Sequence, residues 1–220
     1  PLMNSPFVGV VADRLLLDTR GLDIRAVGLR DAAGQFTPLE HRLGTPDPVL
    51  GSALEIRMPA SAGAAPRQVV RIEYSTGSEA TALQWLAPEQ TAGRAQPFLS
   101  TESQPVYARS WIPVQDSPGI RFTYEARIRT PPGLRAVMSA ASDPRPTRDG
   151  EHRFVMPQPI PAYLVALAVG DLGEESRLAP AAEDEPELVQ ALERSARLIV
   201  RARAVDAQTE ADPARVRSGP

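Results

Sequence analysis

The chain has 220 residues, enough for one large β domain or two small ones with a sizeable core, and its 23 prolines favour many short elements over long helices. Its 24 basic residues, all arginine and scattered, are outnumbered by 27 acidic ones, so a formal charge of −3 offers nucleic acid no general attraction. Cysteine is absent, which excludes disulfides, thiol catalysis and cysteine-ligated metals but leaves the compartment open between cytoplasm and periplasm.

The opening "PLMNSPFVGVV" lacks the basic start and small-residue cleavage site of a leader. No apolar run approaches the ~20 residues that span a bilayer, so no membrane span is expected. From residue 12 to 43 the chain reads as strands broken by turns: "DRLLLDT" is a short apolar run, "LDIRAVGL" alternates, and "DAAGQ" is a glycine-containing loop. "GSALEIRMP" puts Leu54, Ile56 and Met58 on one face, and "RQVVRIEYST" does the same with Val70, Ile72 and Tyr74. "RFTYEARIRTP" aligns Phe122, Tyr124, Ala126 and Ile128 against charged and polar residues. "LRAVMSA", "HRFVMP" and "AYLVALAVGDL" complete the set. The last, almost continuously apolar, suits a strand buried on both faces or a short buried helix. Pro157, Pro159, Pro161 and the β-branched Val165 and Val169 favour the strand. Short strands at close intervals, with proline and glycine between them, predict an all-β, sandwich-like domain.

Beyond Leu172 the composition shifts to Ala, Glu and Arg. Leu188, Val189, Leu192, Ala196, Ile199 and Val200 recur at helical spacing, with acidic residues first and arginines later, as the helix dipole favours. This predicts a helical segment over about 183–205 with an exposed apolar stripe, followed by a polar end with the composition of disorder. The expected organisation is a β domain over 1–172 and a helical, partly disordered tail over 173–220.

Catalytic patterns are missing. The H-E-x-x-H zinc motif needs two imidazoles one helical turn apart. His41 and His152, the only histidines, are far apart in polar, loop-like contexts that suggest solvent exposure. There is no G-x-S-x-G elbow and no phosphate-binding glycine loop at a helix start. Carboxylates are abundant, but nothing pairs them across a bond to be cleaved. No catalytic residue and no metal ligand is expected in this chain, and on these grounds alone it reads as a non-catalytic β module.

One polar pair stands apart. In "FLSTESQPVYARSWIPVQDSPG", Glu102 and Gln104 are separated by one residue, and an extended chain puts both on one face. They are either solvated residues at a sheet rim or polar ligands turned toward a cleft.

The stretch "ALQWLAPEQTAGRAQPFLSTESQPVYARSWIPVQDSPGIRFTYEARIRTPPGLRAVMSA" resembles the amino-terminal domain of the aminopeptidase N family. "LLLDTRGLDI" before it and "FVMPQPIPAYLVALAVGDL" after it extend the likeness over roughly residues 13–172. It is most similar to the leukotriene A-4 hydrolase branch of those zinc metallopeptidases. Gln84-Trp85-Leu86 with Pro88-Glu89-Gln90, the run Ala108-Arg109-Ser110-Trp111-Ile112-Pro113, and Gln115-Asp116-Ser117-Pro118 carry the resemblance together. It implies a saddle-like β domain that packs on a thermolysin-like catalytic domain and forms one wall of the peptide-substrate cleft. The family pattern Thr-Gln-x-(Gln/Glu)-x-x-x-x-Arg places Thr101 and Arg109 in register. Gln104 then stands at the position that binds the substrate's amino group or neighbouring backbone. Glu102 occupies a position usually held by Gln.

The resemblance also implies zinc in the full-length enzyme and none in this chain, because the zinc motif and the transition-state tyrosine lie in the catalytic domain. The implied partners are that catalytic domain, or an equivalent protein surface, and a peptide. The reading that competes with this one is a stand-alone β-sandwich interaction module.

Overall fold

The computed structural model describes residues 13–60, 68–142, 150–172 and 201–204. Its fold is all-β, with strands pairing antiparallel in four sheets.

The first two sheets come from the first 75 residues. Strands β1 (Arg14–Thr19), β4 (His41–Leu43) and β5 (Ser52–Arg57) form one sheet in the order β1-β5-β4. Strands β2 (Asp23–Arg30), β3 (Phe36–Pro38) and β6 (Val70–Ser75) form the other in the order β3-β2-β6. The alternation in "SALEIR" buries Leu54 and Ile56 completely, and with Met58 and Val27 they make a compact core. Leu15, Leu17, Ile24, Leu29, Val70 and Ile72 pack around it from both sheets.

The other two sheets follow. Strands β7 (Leu83–Leu86), β8 (Phe98–Thr101), β10 (Arg135–Met138) and β13 (Leu167–Gly170) are ordered β10-β13-β8-β7. Strands β9 (Arg121–Arg129), β11 (Ala141–Ser142), β12 (Glu151–Pro161) and β14 (Arg201–Ala204) are ordered β11-β12-β9-β14. Phe122, Tyr124, Ala126 and Ile128 of β9 all face the core, as their spacing predicts, and meet Phe154, Leu99, Leu167 and Val169. Trp111, Ile112 and Val114 close this core from a connecting segment rather than a strand. Along β12 the register to β9 breaks between Met156 and Ile160, the interval that holds Pro157 and Pro159. Proline has no N–H for the ladder, so the pairing skips there.

The turn joining β4 to β5 requires a glycine. Gly51 has φ +74, and a Cβ there would collide with the Thr19 carbonyl oxygen. The preceding Asp47 carboxylate accepts the amides of Val49 (2.8 Å) and Leu50 (2.7 Å), which holds its pKa below the usual carboxylate value.

Three sequence expectations need correction, and two strands had no expectation at all. The apolar "AYLVALAVGDL" run is neither one long strand nor a helix: Ala162–Leu164 is a 3-10 turn and only Leu167–Gly170 is a strand. Between them Ala166 is exposed, its N–H donating to Ser139 Oγ at 2.9 Å instead of to a neighbouring strand. The histidines lie in strands, not loops, and both are half-buried. His41 Nδ1 lies 3.2 Å from the Leu39 carbonyl, His152 Nε2 lies 3.3 Å from Thr130 Oγ1, and burial lowers the His152 pKa. Strands β7 and β8 sit among prolines and glycines that hide their short alternation. Finally, Arg201–Ala204 is a strand where the end of a helix was expected, because the edge of β9 offers backbone partners to a segment that also alternates with period two. The rest of that segment, and the polar end beyond it, lie outside the described residues.

One buried and one exposed leucine differ enough to test. Leu54→Ala should lower unfolding free energy by about 2–5 kcal/mol in urea titrations, as complete burial dictates. Leu43→Ala, at a 47% exposed position, should change it by less than about 0.5 kcal/mol.

Candidate functional site

The segment carrying Glu102 and Gln104 is held from below by buried and half-buried residues. β8 ends at Thr101, whose Oγ1 accepts the Leu167 N–H at 2.9 Å. The Glu102 N–H then donates to the Ala82 carbonyl at 2.8 Å. Ser103 is buried: its hydroxyl donates to the Val165 carbonyl at 3.1 Å and accepts the Trp111 indole N–H at 3.1 Å. With Ser103 pinned inward, its neighbours Glu102 and Gln104 lie exposed on the other side. The chain turns at once, with the Tyr107 N–H donating back to the Ser103 carbonyl at 2.9 Å.

The pair is thus at a rim, as its spacing predicts, although on a strand end and a turn rather than on a continuous extended segment. Glu102 Oε1 accepts the backbone N–H of Gln104 at 3.0 Å, which leaves its second oxygen toward solvent. The Gln104 side-chain amide makes no hydrogen bond to another described residue. A carboxylate oxygen and an amide oxygen side by side are acceptors suited to an ammonium group.

Arg109, which the sequence pattern placed only in register, is the structural centre of the neighbourhood. It lies in a 3-10 turn, Ala108–Ser110, whose three residues are all buried. Its guanidinium donates from Nε to Asp116 Oδ2 (3.2 Å), from one terminal nitrogen to the Leu50 carbonyl (3.0 Å), and from the other to the Asp116 carbonyl (3.0 Å). The second terminal nitrogen also lies 3.6 Å from Asp18 Oδ2. Asp18 in turn accepts the Asp116 N–H at 2.9 Å. Burial pushes the Asp116 carboxyl up from its ordinary pKa, while the bonds from Arg109 pull it back. Asp18 lies in β1 and Leu50 in the turn between β4 and β5, Asp116 in the loop that feeds β9, so one side chain joins both halves. Tyr74 adds a second tie, its buried hydroxyl donating to the Trp111 carbonyl at 3.0 Å, and burial raises its pKa well above the usual value.

Sequence reasoning located Glu102, Gln104 and Arg109 but not the support beneath them. Ser103, Ser110 and Asp116 carry that support, and only the one-in-two position of Ser103 between two polar residues hinted at it. As for metals, no group of three or more His, Cys, Asp or Glu side chains is placed to hold an ion among the described residues. His41 and His152 stand in different sheets, so these residues do not fit a zinc site.

Removing Arg109 would strand the buried Asp116. Arg109→Ala should cost about 3–5 kcal/mol of unfolding free energy. Arg109→Lys should recover only part of it, since an ammonium cannot serve three acceptors in one plane. Chemical denaturation followed by tryptophan emission reads both, and a lysine variant as stable as the parent would contradict the geometry.

Comparison with known proteins fits this architecture. Residues 8–164 match the family model of the Peptidase M1 N-terminal domain. Leukotriene A-4 hydrolase of Xenopus laevis is 38% identical over 163 residues, covering 72% of this chain and 26% of that protein. Aminopeptidase B of Homo sapiens is 44% identical over 124 residues, covering 56% of this chain and 18% of that protein. Among solved structures, native yeast LTA4 hydrolase superposes with a TM-score of 0.65 at 32% identity, over 76% of this chain and 25% of the other. The chain therefore spans about a quarter or less of the length of these relatives. The match covers strands β1 to β12, the rim and the Arg109 centre together, and the chain belongs to the Peptidase M1 N-terminal domain family.

Proposed function

We propose that this domain forms one wall of a peptide-substrate cleft in a zinc aminopeptidase, with Gln104 and Glu102 receiving the amino end of the peptide. The observation that carries the reading is the exposed pair of acceptors on either side of Ser103, which is buried and bonded to the Val165 carbonyl and the Trp111 indole. Relatives named as a hydrolase and an aminopeptidase supply the class of reaction.

A free amino terminus is a compact cation with three donors. The Gln104 amide oxygen and the outer oxygen of Glu102 provide two acceptors for it, one of them charged. The rigid support keeps those acceptors in place before substrate arrives, so little ordering cost falls on binding. The wall orients the peptide; zinc and the groups that cleave belong to a catalytic domain, which would be the partner packed beside it. The second reading is a stand-alone interaction module that presents the same rim to a partner protein.

Two arms separate the readings. Gln104→Ala should leave the melting temperature of this chain nearly unchanged, because the side chain is exposed and makes no bond to another described residue. In an enzyme carrying this domain, the same change should reduce peptide turnover while zinc content stays intact. Gln104→Glu should shift selectivity toward substrates with a free amine, through a charge-assisted bond. Strong destabilisation of the chain by Gln104→Ala, with full activity in the enzyme, would make the residue structural.

A further inference from the structure

The exposed pair at the rim shares its face with an apolar residue from the neighbouring segment. Strands β8 and β13 are antiparallel neighbours, with Ala168 opposite Ser100 and Val169 opposite Leu99. Continuing that count past the strand ends sets Leu167 across from Thr101, Ala166 from Glu102, Val165 from Ser103 and Leu164 from Gln104. Two side-chain bonds obey the same count: Thr101 Oγ1 accepts the Leu167 N–H, and Ser103 Oγ donates to the Val165 carbonyl. Burial alternates in step along both segments. Ser103, Val165 and Leu167 are buried, whereas Glu102, Gln104, Leu164 and Ala166 are exposed. Leu164, 43% exposed, thus stands across from the Gln104 amide. We propose that Leu164 is a specificity-determining residue of the cleft wall, which meets the side chain of the peptide's first residue and selects apolar ones. This rests on the reading of Glu102 and Gln104 as acceptors for the amino end.

The first side chain of a peptide branches from the carbon next to its amino nitrogen, so an amino group held at the rim brings that side chain close to the same residues. Directly opposite residues on antiparallel segments have Cβ atoms about 4.5–5.5 Å apart, and the longer Leu164 side chain reaches into that space. Ala166, across from Glu102, is too short to fill it, which leaves room beside Leu164 for a side chain to enter. Burial of an apolar side chain against Leu164 is favourable, and Leu164 offers a charge no partner. Glu102 does not supply one either: one oxygen holds the Gln104 N–H and the other is given to the amino group. The position of Leu164 is fixed before a peptide arrives. Its carbonyl accepts the Ser139 hydroxyl at 2.7 Å, the Ala166 N–H donates to the same oxygen at 2.9 Å, and the Val165 N–H donates to the Ala162 carbonyl at 3.0 Å. Contact with a residue already held in place costs little ordering entropy.

The test is kinetic, in an enzyme carrying this domain, with kcat/KM measured for peptides that begin with Leu, Ala or Arg and are otherwise identical. Leu164→Ala should lower the preference for Leu over Ala by roughly three- to tenfold, near the low end for apolar contacts because Leu164 supplies one side only. Leu164→Glu should raise the preference for Arg over Leu by roughly tenfold, through a charge-assisted bond to the guanidinium. Leu164 is exposed, so both variants should melt within a few degrees of the parent. Unchanged preferences in both variants overturn the role of Leu164. Equal losses on every peptide with a lowered melting temperature would assign Leu164 to packing and overturn it as well. A Gln104→Ala arm separates this failure from failure of the reading beneath it. If that change lowers turnover while the Leu164 variants keep parental preferences, the acceptors stand and the assignment of Leu164 fails alone. If Gln104→Ala leaves turnover of every peptide intact, the acceptor reading fails and this inference falls with it.

Discussion

The most heavily bonded tie between the two halves of this molecule is a single guanidinium. Arg109 is buried with its donors spent on a carboxylate and two carbonyls contributed by segments about 60 residues apart in sequence. Burying such a cation is costly unless it is paired and hydrogen-bonded, and here each of its three nitrogens bonds to a group that is itself fixed. Leu50 is held by the Asp47 turn, Asp116 by its bond to Asp18, and Asp18 by backbone bonds to Val114. The two sandwiches are consequently locked at the place where the rim segment passes. The loop from Thr101 to Asp116 has no freedom to drift, because Ser103, Ser110 and Arg109 bind it at three successive points.

That rigidity gives the proposed wall its physical sense. Binding groups on loops are useful when a stiff scaffold positions them. Glu102 and Gln104 are surface residues, but the backbone between them is anchored to the core through Ser103, so their spacing and direction are set. Surface polarity alone would not distinguish them from the charged face of β1, β4 and β5. There Arg14 and Arg42 pair with Glu55 across the strands and use up their charges locally. The pair at the rim has one carboxylate oxygen and one amide left to offer.

The core strands were legible because their pattern and their burial coincide. Phe122, Tyr124, Ala126 and Ile128 follow strict alternation and all face inward, and Leu54 and Ile56 do the same. Legibility failed where side-chain bonds replace the ladder. Ser139 takes the Ala166 N–H and cuts the apolar run at 162–170 short, and nothing in the spacing of that run announces it. Around the rim, periodicity alone placed Glu102 and Gln104 together, and the motif resemblance added Arg109. The roles of Asp116, known only as part of a motif, and of Ser103 escaped notice because a buried acid and a buried serine look like loop residues until their partners from distant segments are known. The RARA segment shows the ambiguity of short patterns most plainly: it fits both a helical stripe and a strand, and the vacant edge of β9 decides.

The central claim, that the rim of this domain meets the amino end of a peptide, is tested most directly by a crystal structure. The crystal would hold an aminopeptidase carrying this domain, bound to a non-cleavable peptide with a free amino terminus. The account predicts the Gln104 amide oxygen or the outer oxygen of Glu102 within about 3 Å of the peptide amino nitrogen, with Ser103 and Arg109 in their present bonds. A peptide amino group bound elsewhere, with Glu102 and Gln104 still facing bulk water, would contradict it.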